Sequence, residues 1–401
     1  MKRKNSSRIH IFILTYITYA TYYLTRLNFS VALPSIAIDL GYPKFMLGLI
    51  GGAFSMVYAL GQLINGQLAE RFGAKKLITI GLLLSATVNI LFGYTEMGAA
   101  MILLWAVNGY AQSTGWPSVV KIISEWFGEG SRGKISGLFG TCFLVGSIAA
   151  LTFSGYILSK FGWRALFLLP PMILIILVIP FNLGVRNRDR AYEENGYDPK
   201  SSRVFSRLIL SRKILTVTAA YILLQFVRSG FSLWAPSYIF EVYGASLEYA
   251  SYGAAIIPIG GVAGSIISGW MSDKLEGSRR VPIMAVMTLS LCFTLLLLYR
   301  SMEFGLTTSI TLLFLGGLTL YGPHVLMVTT VPMDYNRRYG AAGIAGFIDG
   351  LGYVGSTFAN PFIGWIVDSK GWNGAVTFWV ISAFCSTLLI FTLWGSEDRE
   401  P

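Results

Sequence analysis

The 401-residue chain alternates long apolar runs with short polar segments. Twelve apolar runs stand near 9–33, 45–67, 75–95, 99–122, 134–158, 163–184, 214–238, 249–271, 281–299, 306–331, 340–367 and 373–395. Each is close to the roughly 20 residues that a helix needs to cross the hydrocarbon core of a bilayer. The pattern predicts an all-α membrane protein with twelve transmembrane helices in two pseudo-symmetric six-helix bundles. The first run follows Lys2, Arg3, Lys4 and Arg8, a basic start shared with secretory leaders. Its length, and the lack of a small-residue cleavage site behind it, predict a retained helix.

The polar segments orient the helices. With both termini cytoplasmic, the cytoplasmic segments hold 23 of the 31 Lys and Arg. The outer loops hold Lys44, Lys160, Arg164, Arg300 and Lys370. Positive charge collects on the cytoplasmic side of membrane proteins, so the bias predicts cytoplasmic termini in a cell (inner) membrane. The longest polar stretch, about Val185 to Lys213, follows the sixth run and is rich in Lys and Arg. It divides the chain into a bundle at 1–184, a cytoplasmic linker at 185–213 beside anionic lipid, and a bundle at 214–401.

An internal repeat agrees with that division. Gly66 through Lys76 after the second run is answered by Gly269 through Lys274 and Arg279-Arg280 after the eighth. Gly115-Trp116-Pro117 is answered by Gly322-Pro323, Val145-Gly146-Ser147 by Val354-Gly355-Ser356, and Gly162-Trp163 by Gly371-Trp372. Parallel six-helix repeats are a common construction of secondary transporters.

Composition adds little beyond the membrane. Hydrophobic residues make up 54% and charged residues 13%, against about 25% charged in soluble proteins. The net charge of +11 is scattered over short segments, which argues against nucleic acid as a partner. Cys142, Cys292 and Cys385 lie in apolar runs without metal-ligand spacing, so neither a disulfide framework nor a metal site is expected. No phosphate-binding loop of the Gly-x-x-x-x-Gly-Lys-Ser/Thr type is present. An enzyme is not expected, no cofactor is called for, and a monomer is the expected state.

Two arginines stand out. Arg26 lies within the first apolar run and Arg228 within the seventh, 202 residues apart. An arginine at membrane depth costs at least about 2.5–3.5 kcal/mol, and neither lies within a turn of its run's end. Two such costs at repeat-related places predict one site built from two halves. Asn28 and Gln225 lie close enough in sequence to orient them. Asp349 is the clearest acidic residue at membrane depth; it pairs with an arginine, carries a proton, or only packs. His324 either meets substrate or is a satisfied buried histidine. Tyr19, Tyr23 and Tyr353 either donate to substrate oxygens or pack, and Lys121 is expected to snorkel. Glycines at 340, 343, 346, 350, 352 and 355, and at 133, 137, 140 and 146, predict close sliding contacts between the halves. Glu70 with Arg71, and Asp273 with Lys274, are candidate charge pairs that favour one carrier state.

The Gly66–Lys76 loop and its second copy resemble the signature of the major facilitator superfamily. A finer resemblance is to the organophosphate:phosphate antiporter family of glycerol-3-phosphate and hexose-phosphate transporters. It rests on Tyr22-Tyr23-x-x-Arg26-x-Asn28-Phe29 with Pro34, Gly115-Trp116-Pro117, Arg228-x-Gly230 with Trp234-x-Pro236-x-Tyr238 and Glu241-Val242, Gly269 through Lys274, Tyr321-Gly322-Pro323, and Gly346-Phe347 through Gly352-Tyr353. The resemblance implies that Arg26 and Arg228 bind the substrate's phosphate from opposite halves, in exchange with inorganic phosphate. Guanidinium forks suit phosphate oxygens and keep their charge when desolvated. The chain departs from the glycerol-phosphate members at Phe143, where they carry histidine, and at Gln62, where they carry lysine. Two alternatives stay open: a proton-coupled carboxylate symporter through Asp349 or His324, and a membrane sensor of sugar phosphate.

Overall fold

A computed structural model of the chain describes residues 2–127, 138–185, 211–274, 280–301, 304–334 and 341–394. All of their regular structure is helical. Nine stretches among them are long and apolar enough to cross a membrane. One, Ile344–Phe391, is two spans joined at Gly371, where φ is 69°. The first and fourth spans complete the set of twelve. The first breaks between Lys2–Tyr22 and Asn28–Leu40, and the fourth between Gly98–Ser113 and Gly115–Trp126. The spans thus fall where the apolar runs predict them, with residues 134–137 of the fifth run and 186–210 of the linker outside the described residues.

The repeat is visible in the backbone. Gly41 and Gly244 end the first and seventh spans at φ 66° and 61°, and Gly162 and Gly371 end the fifth and eleventh at 76° and 69°. Glycine adopts this left-handed conformation without the Cβ penalty, so the turns close identically in both halves. Trp163 donates its indole N–H to Asp39 at 2.8 Å, and Trp372 donates to Glu241 at 2.9 Å. These two pairs occupy matching places after the two matching turns.

Helices of the sixth and ninth spans turn Ile176, Ile179, Leu183, Phe293 and Leu297 outward. A bilayer would solvate this apolar belt. The halves meet chiefly where the second span packs along the eleventh and the fifth along the eighth. Gly48 and Gly52 of the second span lie directly against the backbone of Thr357, Asn360 and Pro361. Small residues allow such close helix approach. The glycines expected to do this behave otherwise. Gly352 and Gly355 pack on the seventh span, inside their own half, and Gly146 packs on Ala20. Gly346 and Gly350 face open space, while Gly133, Gly137 and Gly340 lie outside the described residues.

We call the membrane face with Tyr42, Met97, Gly162, Gly244 and Gly371 the far face, and the opposite one the terminal face. Bonds that join described residues of the two halves gather on the far side. Ser30 Oγ donates to the Leu233 carbonyl at 2.9 Å. Asp368 accepts from the backbone N–H groups of Lys44 and Phe45 at 3.1 and 2.8 Å, capping the second span's N-terminus from the other half. Lys44 Nζ pairs with Glu241 at 3.2 Å. The far face is therefore latched shut.

Candidate anion site between the halves

The first span breaks at a short polar cluster, Thr25, Arg26 and Asn28, inside its apolar run. Tyr23–Thr25 form a 3-10 turn and Arg26 follows it. The break frees carbonyls that a continuous helix would have paired. Gln112 donates to Tyr22 O at 3.0 Å, and Asn108 to Thr25 O at 2.9 Å. Asn89 adds a longer bond to Thr25 O at 3.3 Å. Ser85 ties the set together, bonding Thr25 Oγ1 at 3.0 Å and Asn108 Oδ1 at 2.7 Å. Ser85, Asn89, Asn108 and Gln112 are all nearly or fully buried. This mount holds Arg26 without touching it. The sequence carried a signal for it in two pairs of polar residues one turn apart, 85/89 and 108/112, inside apolar runs.

Arg26 points across to the other half. One of its terminal nitrogens donates to Tyr353 Oη at 2.9 Å. The guanidinium lies over the rings of Tyr58, Phe54 and Tyr23, 4.7, 5.1 and 5.3 Å from their centroids. Aromatic faces stabilise a desolvated cation without neutralising it.

Arg228 sits at the end of the helix Arg212–Ser229. A π-helical turn, Gly230–Trp234, follows, a feature frequent at functional sites. Gly230 admits the Trp379 indole against the backbone. Arg228 donates to Gln225 Oε1 at 3.1 Å and lies 5.9 Å from the Tyr321 and Tyr353 ring centroids. Tyr353 therefore stands between the two arginines. Arg228 Nε, Gln225 Nε2 and His324 Nδ1 are buried without hydrogen-bond partners.

Both arginines, Tyr23, Tyr321 and Tyr353 line one cavity between the halves. Among the described residues neither arginine has an ion-pair partner. The cavity brings two guanidinium groups together.

The other expected site residues scatter. Asp349 accepts from Tyr221 Oη at 2.9 Å, and no ion pair joins it to either arginine among the described residues. His324 stacks on Tyr221, with centroids 5.5 Å apart, and meets Phe143 of the other half edge-on at 6.3 Å. Tyr19 is buried against Trp116 at 5.2 Å, behind Tyr23. Asn28 turns away, donating to Asn89 and to the Leu166 carbonyl at 2.8 and 3.0 Å. Gln225 alone of the two flanking amides touches its arginine. On the terminal face, Arg71 lies over Phe72 at 5.5 Å and Lys274 over Trp270 at 3.9 Å. The side chains of Glu70 and Asp273 lie outside the described residues. Lys121, expected to snorkel, donates to the Ala69 carbonyl at 3.0 Å near the end of the second span and pairs with Glu125 at 3.9 Å. The far-face latch of Lys44, Glu241 and Asp368 had no counterpart among the expected gating residues.

The sequence pattern of the Major Facilitator Superfamily matches residues 15–354. A "Probable hexose phosphate transport protein" of Chlamydia pneumoniae is 26% identical over 98% of this chain and 92% of its own length. A "Glycerol-3-phosphate transporter" of Bacillus subtilis is 29% identical over 98% and 93%. A solved bacterial homologue of the human lysosomal transporter Spinster, in an inward-facing and occupied conformation, aligns with a TM-score of 0.85. The two share 15% identity over 98% of each chain, a likeness that carries the fold.

Proposed function

This chain belongs to the major facilitator superfamily, and from that premise we propose that it carries an organic phosphate across the membrane in exchange for inorganic phosphate. The observation that supports this most is the pair of arginines from opposite halves on one cavity, with no ion-paired carboxylate among the described residues to compensate them. A phosphate fits such a site. Each arginine offers a planar fork of donors, and the two together balance a dianion. The relatives named for hexose phosphate and glycerol-3-phosphate agree with an ester of this class.

A contact between the halves supports exchange. Arg26 donates to Tyr353 Oη across the halves. An anion competes for that donor, so ligand binding and the contact between halves are linked. Either phosphate or its ester fills the site as the halves, 1–184 and 214–401, rock around it. The linker at 185–213 and both termini then face the cytoplasm, as the basic segments favour, and the carrier works as a monomer in the cell membrane.

The test is counterflow. Purified protein in vesicles loaded with labelled phosphate should release label when glucose 6-phosphate or glycerol 3-phosphate is added outside. Uptake that ignores internal phosphate and collapses with the proton gradient would overturn exchange in favour of proton-coupled symport. Ligand binding without any flux would instead favour a sensor.

A further inference from the structure

On the far face the two repeats treat matching carboxylates differently. In the first half, two consecutive residues after the glycine turn hold Asp39. Trp163 donates its indole N–H to it at 2.8 Å, and Arg164 pairs with it at 3.2 Å. In the second half the turn recurs with nearly the same backbone: φ 76° and ψ 174° at Gly162, φ 69° and ψ −174° at Gly371. Trp372 again donates to a carboxylate, Glu241, at 2.9 Å. The next residue, however, is Asn373, where the first half has Arg164. Glu241 takes its cation from the other half instead, pairing with Lys44 at 3.2 Å.

A second departure complements the first. The eighth span begins behind Ser246, whose hydroxyl accepts from the Tyr249 N–H at 3.3 Å and caps its own helix. The second span begins behind Pro43, which has no hydroxyl to offer. Its first N–H groups, of Lys44 and Phe45, go to Asp368 of the other half. Asp368 answers Ser159, as Gly371 answers Gly162. Ser159 spends its hydroxyl at home, on the Tyr156 carbonyl at 3.0 Å. The second half thus lacks a cation that the first half supplies to itself, and the first half lacks a cap that the second half supplies to itself. We propose that the far-face latch is an exchange of partners between the repeats, and that Asn373 sets it. By withholding a cation beside Trp372, Asn373 commits Glu241 to Lys44 and biases the carrier toward the state closed on the far face.

The two kinds of pair differ in what they do to the carrier. A contact shifts a conformational equilibrium only if it is made in one state and not in the other. Asp39 and Arg164 belong to one half and move with it, so their pair favours neither state. Lys44 and Glu241 belong to different halves and part when the far face opens, so their pair favours closure. Its side chains are partly exposed, which limits it to a modest bias. A carrier needs a bias of this size, because a latch much stronger would stop the halves from rocking. Trp163 and Trp372 hold the two carboxylates in the same way, so an arginine at position 373 is placed to reach Glu241 as Arg164 reaches Asp39. That change restores the repeat and returns Glu241 to its own half.

The experiment reads conformation, not transport. A cysteine placed at Ser30 is labelled by a membrane-impermeant maleimide added to the far side of sealed vesicles, and the rate is compared among variants. The chain without that cysteine supplies the blank. Asn373→Arg should raise the rate about two- to fivefold, the size of one partly exposed pair. The neutral Asn373→Gln should leave it unchanged. Lys44→Met should raise it by a similar factor, and adding Asn373→Arg to Lys44→Met should raise it no further, because both act on the same carboxylate. Arg164→Asn breaks a surface pair on the same face but within one half, and should not change the rate. Unchanged labelling in Asn373→Arg or in Lys44→Met would overturn the proposal. So would an equal rise in Asn373→Gln or Arg164→Asn, or a rise in the double variant equal to the product of the two single ones.

Discussion

Arg26 and Arg228 occupy matching places in two repeats, yet the two halves mount them differently. Arg26 follows a break whose freed carbonyls are taken up by Asn89, Asn108 and Gln112. Arg228 closes an unbroken helix, and its surroundings leave Arg228 Nε, Gln225 Nε2, His324 Nδ1 and Trp234 Nε1 without partners. A buried polar group left unpaired costs about 1–3 kcal/mol. The mount of Arg26 is thus a fixed anchor, while the surroundings of Arg228 carry a polar deficit that a ligand or a shift of helices relieves. Pseudo-symmetry of the fold supplies two arginines. The asymmetry of their mounts supplies one rigid and one adaptable grip.

The largest effects fall on the arginines themselves. Arg26→Lys and Arg228→Lys keep the charge and lose the fork. A hydrogen bond to a charged group contributes about 1.5–3 kcal/mol, so each change should lower the apparent affinity in phosphate exchange about ten- to a hundredfold. Arg26→Lys should be the more severe, because its rigid mount cannot move to compensate. A milder effect at Arg26 would break the contrast between the halves.

Next come the mounts. Gln112→Leu strips donors from Tyr22 O and Thr25 Oγ1 and leaves them buried, and should destabilise the protein by about 1–3 kcal/mol. Gln225→Leu removes one acceptor but also an orphaned amide N–H, and should cost less than about 1 kcal/mol, because removing an unpaired group offsets the loss. Thermal unfolding of the two variants in one detergent compares them directly. Equal losses would show that the second half is no less satisfied than the first.

The far-face latch should matter less. Lys44 and Glu241 are 22% and 28% exposed at the side chain, and partly exposed pairs contribute about 0.2–1 kcal/mol. Glu241→Gln should therefore change exchange rates less than about fivefold, while increasing labelling of a cysteine placed at Ser30 from the far side. Unchanged labelling would remove the pair from the gate. Asp349→Asn should do least. The amide keeps an acceptor for Tyr221, so phosphate counterflow should persist near the original rate. Loss of counterflow would put the carboxylate back into the transport cycle.

What the sequence revealed followed from costs large enough to need no geometry. Apolar runs of spanning length place the twelve helices, and a guanidinium at membrane depth demands a purpose. The left-handed glycines and the Trp163–Asp39 and Trp372–Glu241 pairs repeat because the turns do. Contacts that depend on how a helix is rotated were not legible. Asn28 lies two residues from Arg26 but turns its amide to Asn89 and Leu166. Asp349 meets a tyrosine 128 residues away. The far-face latch joins Lys44 and Phe45 to Asp368 more than 320 residues on. Which glycines form the interface between halves also depended on helix facing, and Gly48, Gly52, Gly155 and Gly364 supply it.

That one phosphate is held jointly by Arg26 and Arg228 is tested most directly by equilibrium binding of inorganic phosphate. The proteins needed are the unaltered carrier, Arg26→Lys, Arg228→Lys and the double variant, each well folded in detergent. Groups that act on one ligand are non-additive. The single changes should each weaken binding at least about tenfold, and the double change should weaken it by clearly less than the product of the two. Near-normal phosphate affinity in Arg228→Lys, or losses that simply multiply, would contradict a single site shared by the two halves.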